Sequence, residues 1–340
     1  MTVAWFGTRL RWVGRARAVG RDVVFNVVWI GDVFRFLYPF VSSLLAHSDA
    51  RVRFVANGCT PASVEAMHHY ASSSDGRVCE VLEVSPDLVI PHGVALDQVL
   101  STRDDGPLFA VIDSDIKATG PFLPDLLRPL DDAGDPAVAV TAGRAVWSEP
   151  VPAPLDTPWI VGGMFTRADG FVYGSVYAAI YRRDALDAMT QRWSVGFGTG
   201  GQGLDIPGTE LAPAAAQHLR DNGHPATIFD TGKLVNAFLQ FDGHRVVHQE
   251  HPALLHVGGV SSHITPMPHG PKIMAKMHAD VHGHTGEDLS KLLTEPEARP
   301  EASIDPKIRP RCSELTAQIL IAAHTRQPIP AVPDDLSPAA

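Results

Sequence analysis

The first third of the chain alternates four short runs rich in apolar and β-branched residues with three stretches of helical spacing. The runs are VVFNVVWI (Val23–Ile30), RVRFVANG (Arg51–Gly58), CEVLEVS (Cys79–Ser85) and PLFAVIDSDI (Pro107–Ile116). The first and last are almost continuously apolar before they end, which is what a strand covered on both faces requires. Between the runs, Val33, Leu37, Phe40, Val41, Leu44 and Leu45 share one helical face, with Pro39 marking a kink. Thr60-Pro61 supplies an N-cap and a first-turn proline for a helix to Ala71, and a third helix spans His92–Leu100. Strands joined by crossover helices pair in parallel. The expected fold class is therefore α/β with a mainly parallel central sheet, its ligands outside the carboxyl ends of the strands.

After Gly120 the spacing is less regular. Ala137–Gly143 reads as a strand, and Gly170–Leu186 as a strand entering a helix. Thr209–Gly223 reads as a helix capped by Thr209 and stopped by Gly223, and Arg245–His256 as a strand. Further on come a Pro/Glu-rich stretch near residues 295–310, a short helix over Leu315–Ala323 and a Pro-rich tail.

Lys and Arg number 28 against 38 Asp and Glu, so the formal charge is 28 − 38 = −10. A general nucleic-acid binder needs clustered cations to displace the counterions of phosphates, and this balance argues against one. Phosphate handled by such a chain needs local help, such as a metal ion. No run of about 18 apolar residues is present, and the Arg-bearing first 21 residues lack a signal-peptide core, so no transmembrane segment and a cytoplasmic location are expected. The three cysteines, Cys59, Cys79 and Cys312, form no CxxC pair and read as packing residues.

The string FAVIDSDI (Phe109–Ile116) is the most informative. Four apolar residues deliver Asp113 and Asp115 to the end of a buried strand, where two carboxylates repel unless a cation sits between them. With this strand, the early VVFNVVWI and FVANG runs and the helix from His92, the chain resembles the GT-A fold glycosyltransferases, especially the family 2-like group. The resemblance covers roughly residues 22–263. It implies a Rossmann-like three-layer domain and transfer of a sugar from a nucleoside-diphosphate donor (UDP, GDP or dTDP) to a hydroxyl of a small-molecule or soluble glycan acceptor. The domain plan that follows is a basic arm (1–21), the GT-A domain (22–265, with a nucleotide-sugar half 22–120 and an acceptor half 121–265) and a C-terminal lid, linker and tail (266–340).

Carried over residue by residue, the resemblance has Asp113 contact the ribose or donor sugar and Asp115 ligate Mn²⁺ or Mg²⁺, with Asp113 also near the ion. Asn57 stands where the family often places a base-contacting acid, and His92 opens the helix before the acid-bearing strand. His256, in HPALLHVGGVSSH, matches the late histidine that completes the metal shell, with His263 the alternative; an imidazole ligand favours Mn²⁺. Lys272, one helical turn from Lys276, either closes on the diphosphate or lies on a solvated helix face.

For the base of an inverting transfer, Asp205 stands just before a Pro-Gly turn and Glu210 three residues after that proline. Asp205 can equally be an Asx-turn residue, and Glu210 an acid complementing a helix dipole. Trp159 and Tyr173 are aromatic candidates for stacking an acceptor, although core packing explains such residues equally well. The glycine-rich WSVGFGTGGQG reads as a mobile acceptor loop rather than a phosphate loop, since no GK[ST] follows. Two other readings remain. One is a sugar-nucleotide nucleotidyltransferase, whose GTRL is echoed at Gly7–Leu10 without a preceding strand; the other is a catalytically idle binding protein of the same fold. A homo-oligomer is compatible with either.

Overall fold

The computed structural model describes residues 23–31, 33–144, 155, 159–160, 165–200, 209–224, 228–256 and 261. The expected alternation is present: β1 (Val24–Gly31), α1 (Phe34–His47), β2 (Arg51–Cys59), α2 (Pro61–Ser72), β3 (Val78–Ser85), α3 (His92–Thr102) and β4 (Leu108–Ile112). Then follow β5 (Ile116–Ala118), α4 (Leu123–Leu127), β6 (Ala139–Ala142), β7 (Trp159–Ile160), β8 (Ala178–Arg182) and α5 (Arg183–Trp193). The last described elements are α6 (Pro213–Asp221), β9 (Ile228–Phe229), α7 (Lys233–Phe241), β10 (Val246–Gln249) and β11 (Leu254–His256).

Seven strands form the central sheet in the order β10-β6-β8-β4-β1-β2-β3. β1, β2, β3 and β4 pair in parallel, as do β6 and β10, while β8 runs antiparallel to both of its neighbours. The side-chain period of two divides the apolar residues between two cores. Phe25, Val27, Trp29, Ala110, Ile112 and Ile180 pack with α1, α2 and α4 on one face; Val28, Phe109, Val111, Ala179 and Tyr181 pack with α3, α5, α6 and α7 on the other. That is the three-layer arrangement, and both faces of the sheet need covering because every residue of β1 is buried. Each fully buried large side chain contributes about 1.5–3 kcal/mol relative to exposure.

Several boundaries differ from the sequence reading, each for a physical reason. The fourth strand ends at Ile112, so Asp113 and Asp115 lie in a turn, closed by the Ile116 N–H donating to the Asp113 carbonyl (3.3 Å). The helix expected from Thr209 begins at Pro213, with Ala212 extended at φ −54°, ψ 140°. A proline disfavours helical geometry in the residue before it, so the helix cannot run back through Ala212. Glu210 consequently precedes the helix instead of occupying its first turn. Arg245–His256 is two strands, separated at Pro252-Ala253. The Thr60 cap is present, its hydroxyl accepting from the Ser63 N–H at 3.2 Å.

The glycine-rich stretch is held, over its described part, by α3. The half-buried Asp97 carboxylate accepts from the N–H groups of Phe197 (2.7 Å) and Gly198 (2.8 Å). A Cβ on Gly93 would lie 2.2 Å from the Phe197 carbonyl oxygen, so the two backbones touch only because residue 93 is glycine. Thr199 and Gly200 continue the anchoring, Gly200 donating to the Thr209 carbonyl (2.7 Å). This corrects the expectation of a mobile loop for residues up to 200; residues 201–208 lie outside the described set.

A charged network crosses the first strands. Arg53, 4% exposed, donates to both oxygens of Asp105 (2.7 Å each), to Glu80 (2.6 Å) and to the Asn26 side-chain oxygen (2.9 Å). Asn26 in turn donates to the Ala110 carbonyl of β4 (2.9 Å), so one network ties β1, β2, β3 and β4 together. Removing one partner of a buried ion pair leaves the others desolvated and uncompensated. Arg53→Ala is expected to cost about 3–5 kcal/mol, read as a lower midpoint in urea unfolding.

Candidate metal and donor site

The antiparallel β8 is what builds the site. Because β8 runs against β4, its first residue, Ala178, lies opposite Ile112, the last residue of β4. The segment just before β8 therefore arrives at the carboxyl end of the sheet, where the Asp113 N–H donates to the Tyr177 carbonyl (2.7 Å). A second pairing completes the convergence. β11 runs antiparallel to β5 with His256 opposite Ile116, which places the imidazole beside the DSD turn.

His256 Nε2 lies 3.2 Å from an Asp115 oxygen and 3.6 Å from an Asp113 oxygen. One ligand atom from each of Asp113, Asp115 and His256 falls within 4.8 Å of the others, and the three form the only such His/Cys/Asp/Glu group among the described residues. Asp115 and His256 are buried, whereas Asp113 is partly open. Two donors on opposite sides of an ion, each about 2.1 Å away, are about 4.2 Å apart, so small side-chain adjustments would close this set around Mn²⁺ or Mg²⁺. Two carboxylates and an imidazole are also the right donors for such an ion.

Electrostatics agree with the geometry. Burial holds the Asp113 carboxyl well above its ordinary range, the His256 ring pulls it down, and Asp115 and Asp230 push it further up. Burial lowers His256, but the Asp115, Asp113 and Asp230 carboxylates outweigh it and the net shift is upward. Both directions report negative charge concentrated where water cannot screen it, which is the condition a divalent cation relieves.

Asp230 belongs to this cluster and was not singled out by sequence. It follows β9, and one oxygen accepts from the Tyr177 hydroxyl (3.2 Å) and the Ser175 hydroxyl (3.3 Å); the other accepts from the Thr231 N–H (2.9 Å). The Tyr177 ring lies 4.4 Å from the His256 ring, so one side chain spans the metal histidine and Asp230. Burial, then Asp230 and Asp113, raise the Tyr177 phenol well above its usual range, which keeps it a hydrogen-bond donor. The local signal is a short apolar pair ending in an acid and a glycine, IFDTG, a compact version of the DSD pattern.

The remaining expected residues divide. His92 opens α3 close enough to Asp230 and Asp115 for both to oppose the effect of burial, which still brings it down to about 4; its imidazole is neutral near pH 7. Asn57 is buried with both amide atoms engaged by Ile90, donating to its carbonyl (2.8 Å) and accepting from its N–H (2.9 Å). It clamps the chain after β3, and that clamp replaces the expected contact to a nucleotide base. Tyr173 is fully buried against Phe171 and Phe229 and hydrogen-bonded to His224, so it has no face for an acceptor and is a core residue. The aromatics at the site are Tyr177 and Phe165, whose rings meet edge to face at 6.1 Å. Glu210 is exposed ahead of α6. Asp205, His263, Lys272 and Lys276 lie outside the described residues, as does the side chain of Trp159.

No helix among the described residues is long and apolar enough to cross a membrane. No family model matches the chain, and no curated protein does. Among solved structures it is similar to the mannosyltransferase PcManGT from Pyrobaculum calidifontis in complex with GDP-Man and Mn²⁺, at 12% identity and TM-score 0.42, over 92% of this chain and 84% of that one. It is similar to S. aureus TarS at 14% identity and TM-score 0.41, over 90% and 92% of the two chains. A third similar structure is the 4-diphosphocytidyl-2C-methyl-D-erythritol synthase of Anaerococcus prevotii, at 10% identity and TM-score 0.36, over 67% and 89%. Superpositions this loose and identities this low decide nothing about chemistry. The chain's own two cores and its seven-stranded, mainly parallel sheet, with the acid-bearing turn after the fourth strand, make this a Rossmann-like three-layer α/β fold.

Proposed function

We propose that the protein is a metal-dependent glycosyltransferase of the hexosyltransferase type, moving a sugar from a nucleoside-diphosphate donor to an acceptor hydroxyl with inversion. The observation that carries this reading is the convergence of Asp113, Asp115 and His256 at the carboxyl end of β4. Asp115 and His256 would hold Mn²⁺ or Mg²⁺, with Asp113 bridging toward the ion and the donor's ribose or sugar. An ion held there would supply the positive charge that a leaving diphosphate needs, which would let a chain of net charge −10 accept a phosphate-rich substrate.

The chain's own residues supply the rest. His92, neutral at the start of α3, would donate to a phosphate oxygen without changing the charge of the site. Asp230 replaces Asp205 as the preferred base, because its carboxylate is oriented by Tyr177, Ser175 and the Thr231 N–H beside the acid cluster. It would take the proton of the acceptor hydroxyl as that oxygen bonds to the anomeric carbon and the bond from that carbon to the diphosphate oxygen breaks. Tyr177, partly exposed beside His256 and Asp230, would flank a small-molecule or soluble glycan acceptor.

Incubation with UDP-, GDP- and dTDP-sugars and a panel of hydroxyl acceptors tests the reading by its products. The expected result is Mn²⁺-dependent release of a nucleoside diphosphate, suppressed by EDTA. Pyrophosphate release from a nucleoside triphosphate and a sugar phosphate would instead identify a nucleotidyltransferase, and binding without any turnover an idle protein.

A further inference from the structure

The imidazole of the acid cluster is not aimed by a hydrogen bond of its own. His256 Nε2 faces Asp113 and Asp115, and Nδ1 is buried without a hydrogen-bond partner among the described residues. A metal-ligating histidine ordinarily fixes its ring by donating from the second nitrogen. Here the direction of the ring is left to packing on Tyr177 and to the backbone that carries it. That backbone is short: β5 and β11 form a two-stranded sheet of their own, with Ile116 opposite His256, Lys117 opposite Leu255 and Ala118 opposite Leu254. Asp115 immediately precedes β5, so Asp115 and His256 leave the same end of this ribbon. Two strands alone are marginally stable, and a slip of one residue would turn His256 to the opposite face.

The other end of the ribbon carries a pin. The Thr119 N–H donates to the Ala253 carbonyl (2.9 Å), and the Leu254 N–H donates to the His251 carbonyl (2.9 Å), closing the turn into β11. The buried His251 ring bridges this turn to α4: its Nδ1 accepts from the Ala253 N–H (3.2 Å), and its Nε2 lies 3.2 Å from Asp125 Oδ2. An Nδ1 that accepts leaves the ring proton on Nε2, which therefore donates to the carboxylate. The other Asp125 oxygen accepts from Arg128. α4 is itself fixed, since Leu123 and Leu126 are buried in the same core as Leu254 and Leu255. We propose that Asp125 and His251 are the register lock of the ribbon, positioning residues that act through β11 to set where His256 meets Asp115. The proposal rests on the reading of Asp113, Asp115 and His256 as a metal set.

The test compares Asp125→Ala, Asp125→Asn, His251→Ala and the double alanine variant, all in the full chain. Mn²⁺ affinity, read from the EPR signal of the free ion, should weaken about tenfold in Asp125→Ala and in His251→Ala, and no further in the pair, because the two residues act as one unit. Asp125→Asn keeps an oxygen that accepts from Nε2–H and should stay near the native affinity. Without metal, hydrogen exchange of residues 116–119 and 254–256 should be faster in Asp125→Ala than in the native chain, with β1 and β4 still protected. Native Mn²⁺ affinity in Asp125→Ala would overturn the proposal. Equal weakening in Asp125→Asn and Asp125→Ala would assign the effect to charge and overturn it too. Asp125 is half-exposed, so its variants are expected to fold; if His251→Ala does not, the two Asp125 variants decide. A native chain that binds no Mn²⁺ would overturn the metal reading, and exchange then judges the lock by itself: faster exchange of the ribbon in Asp125→Ala supports it, and unchanged exchange overturns it.

Discussion

Asp115→Ala should abolish Mn²⁺-dependent nucleoside diphosphate release, with a loss of about 10³-fold or more and little change in folding. The size follows from what is removed: metal stabilisation of a leaving diphosphate is worth several kcal/mol, and about 4 kcal/mol corresponds to 10³ in rate. Asp115 is 4% exposed and 3.2 Å from His256 Nε2, so the substitution removes the carboxylate nearest the imidazole of the proposed metal set. Stability should hold or rise, because the substitution thins a cluster in which burial and the neighbouring acids already push Asp113 upward. The check is a turnover assay across Mn²⁺ concentrations alongside a thermal melt. Retention of metal-stimulated turnover would show that the ion, if any, sits elsewhere.

Asp230→Asn is the second large effect expected, a fall of about 10²–10⁴-fold in kcat with Mn²⁺ and donor binding retained. The substitution keeps the shape and can still accept hydrogen bonds from Tyr177, Ser175 and the Thr231 N–H through its carbonyl oxygen. What it loses is the ability to take a proton. The split between kcat and binding separates this from a positioning defect: kcat should fall while donor KM and the Mn²⁺ dependence stay as in the native chain. A variant with native kcat would return the base to another residue, Asp205 among them.

The first half of the fold is legible in the sequence because its instructions are local. Val23–Ile30 and Phe109–Ile112 can only be strands buried on both faces, and Thr60-Pro61 is a helix start wherever it lies. The later boundaries are less legible because they turn on single residues whose effect is backward or distant: Pro213 delays a helix that Thr209 appeared to cap. The site divides the same way. Asp113 and Asp115 announce themselves as adjacent acids after an apolar run, and His256 followed from a resemblance. Asp230 joins them only through the reversed direction of β8, a pairing between residues about 65 positions apart that no local pattern encodes. Tyr173 and Tyr177 show how fine the distinction is. They lie four residues apart in one aromatic string, yet the former faces Phe171, Phe229 and His224 in the core and the latter faces His256 and Asp230.

The central claim is that a cation held by Asp113, Asp115 and His256 recruits the diphosphate of a sugar donor. Thermal unfolding of the native chain with UDP-, GDP- and dTDP-sugars, each with Mn²⁺ and with EDTA, tests it most directly. The account predicts that at least one donor raises Tm by several degrees with Mn²⁺ and not with EDTA, and that Asp115→Ala removes the rise. Stabilisation that is equal in EDTA, or absent for every donor with Mn²⁺ present, would contradict it.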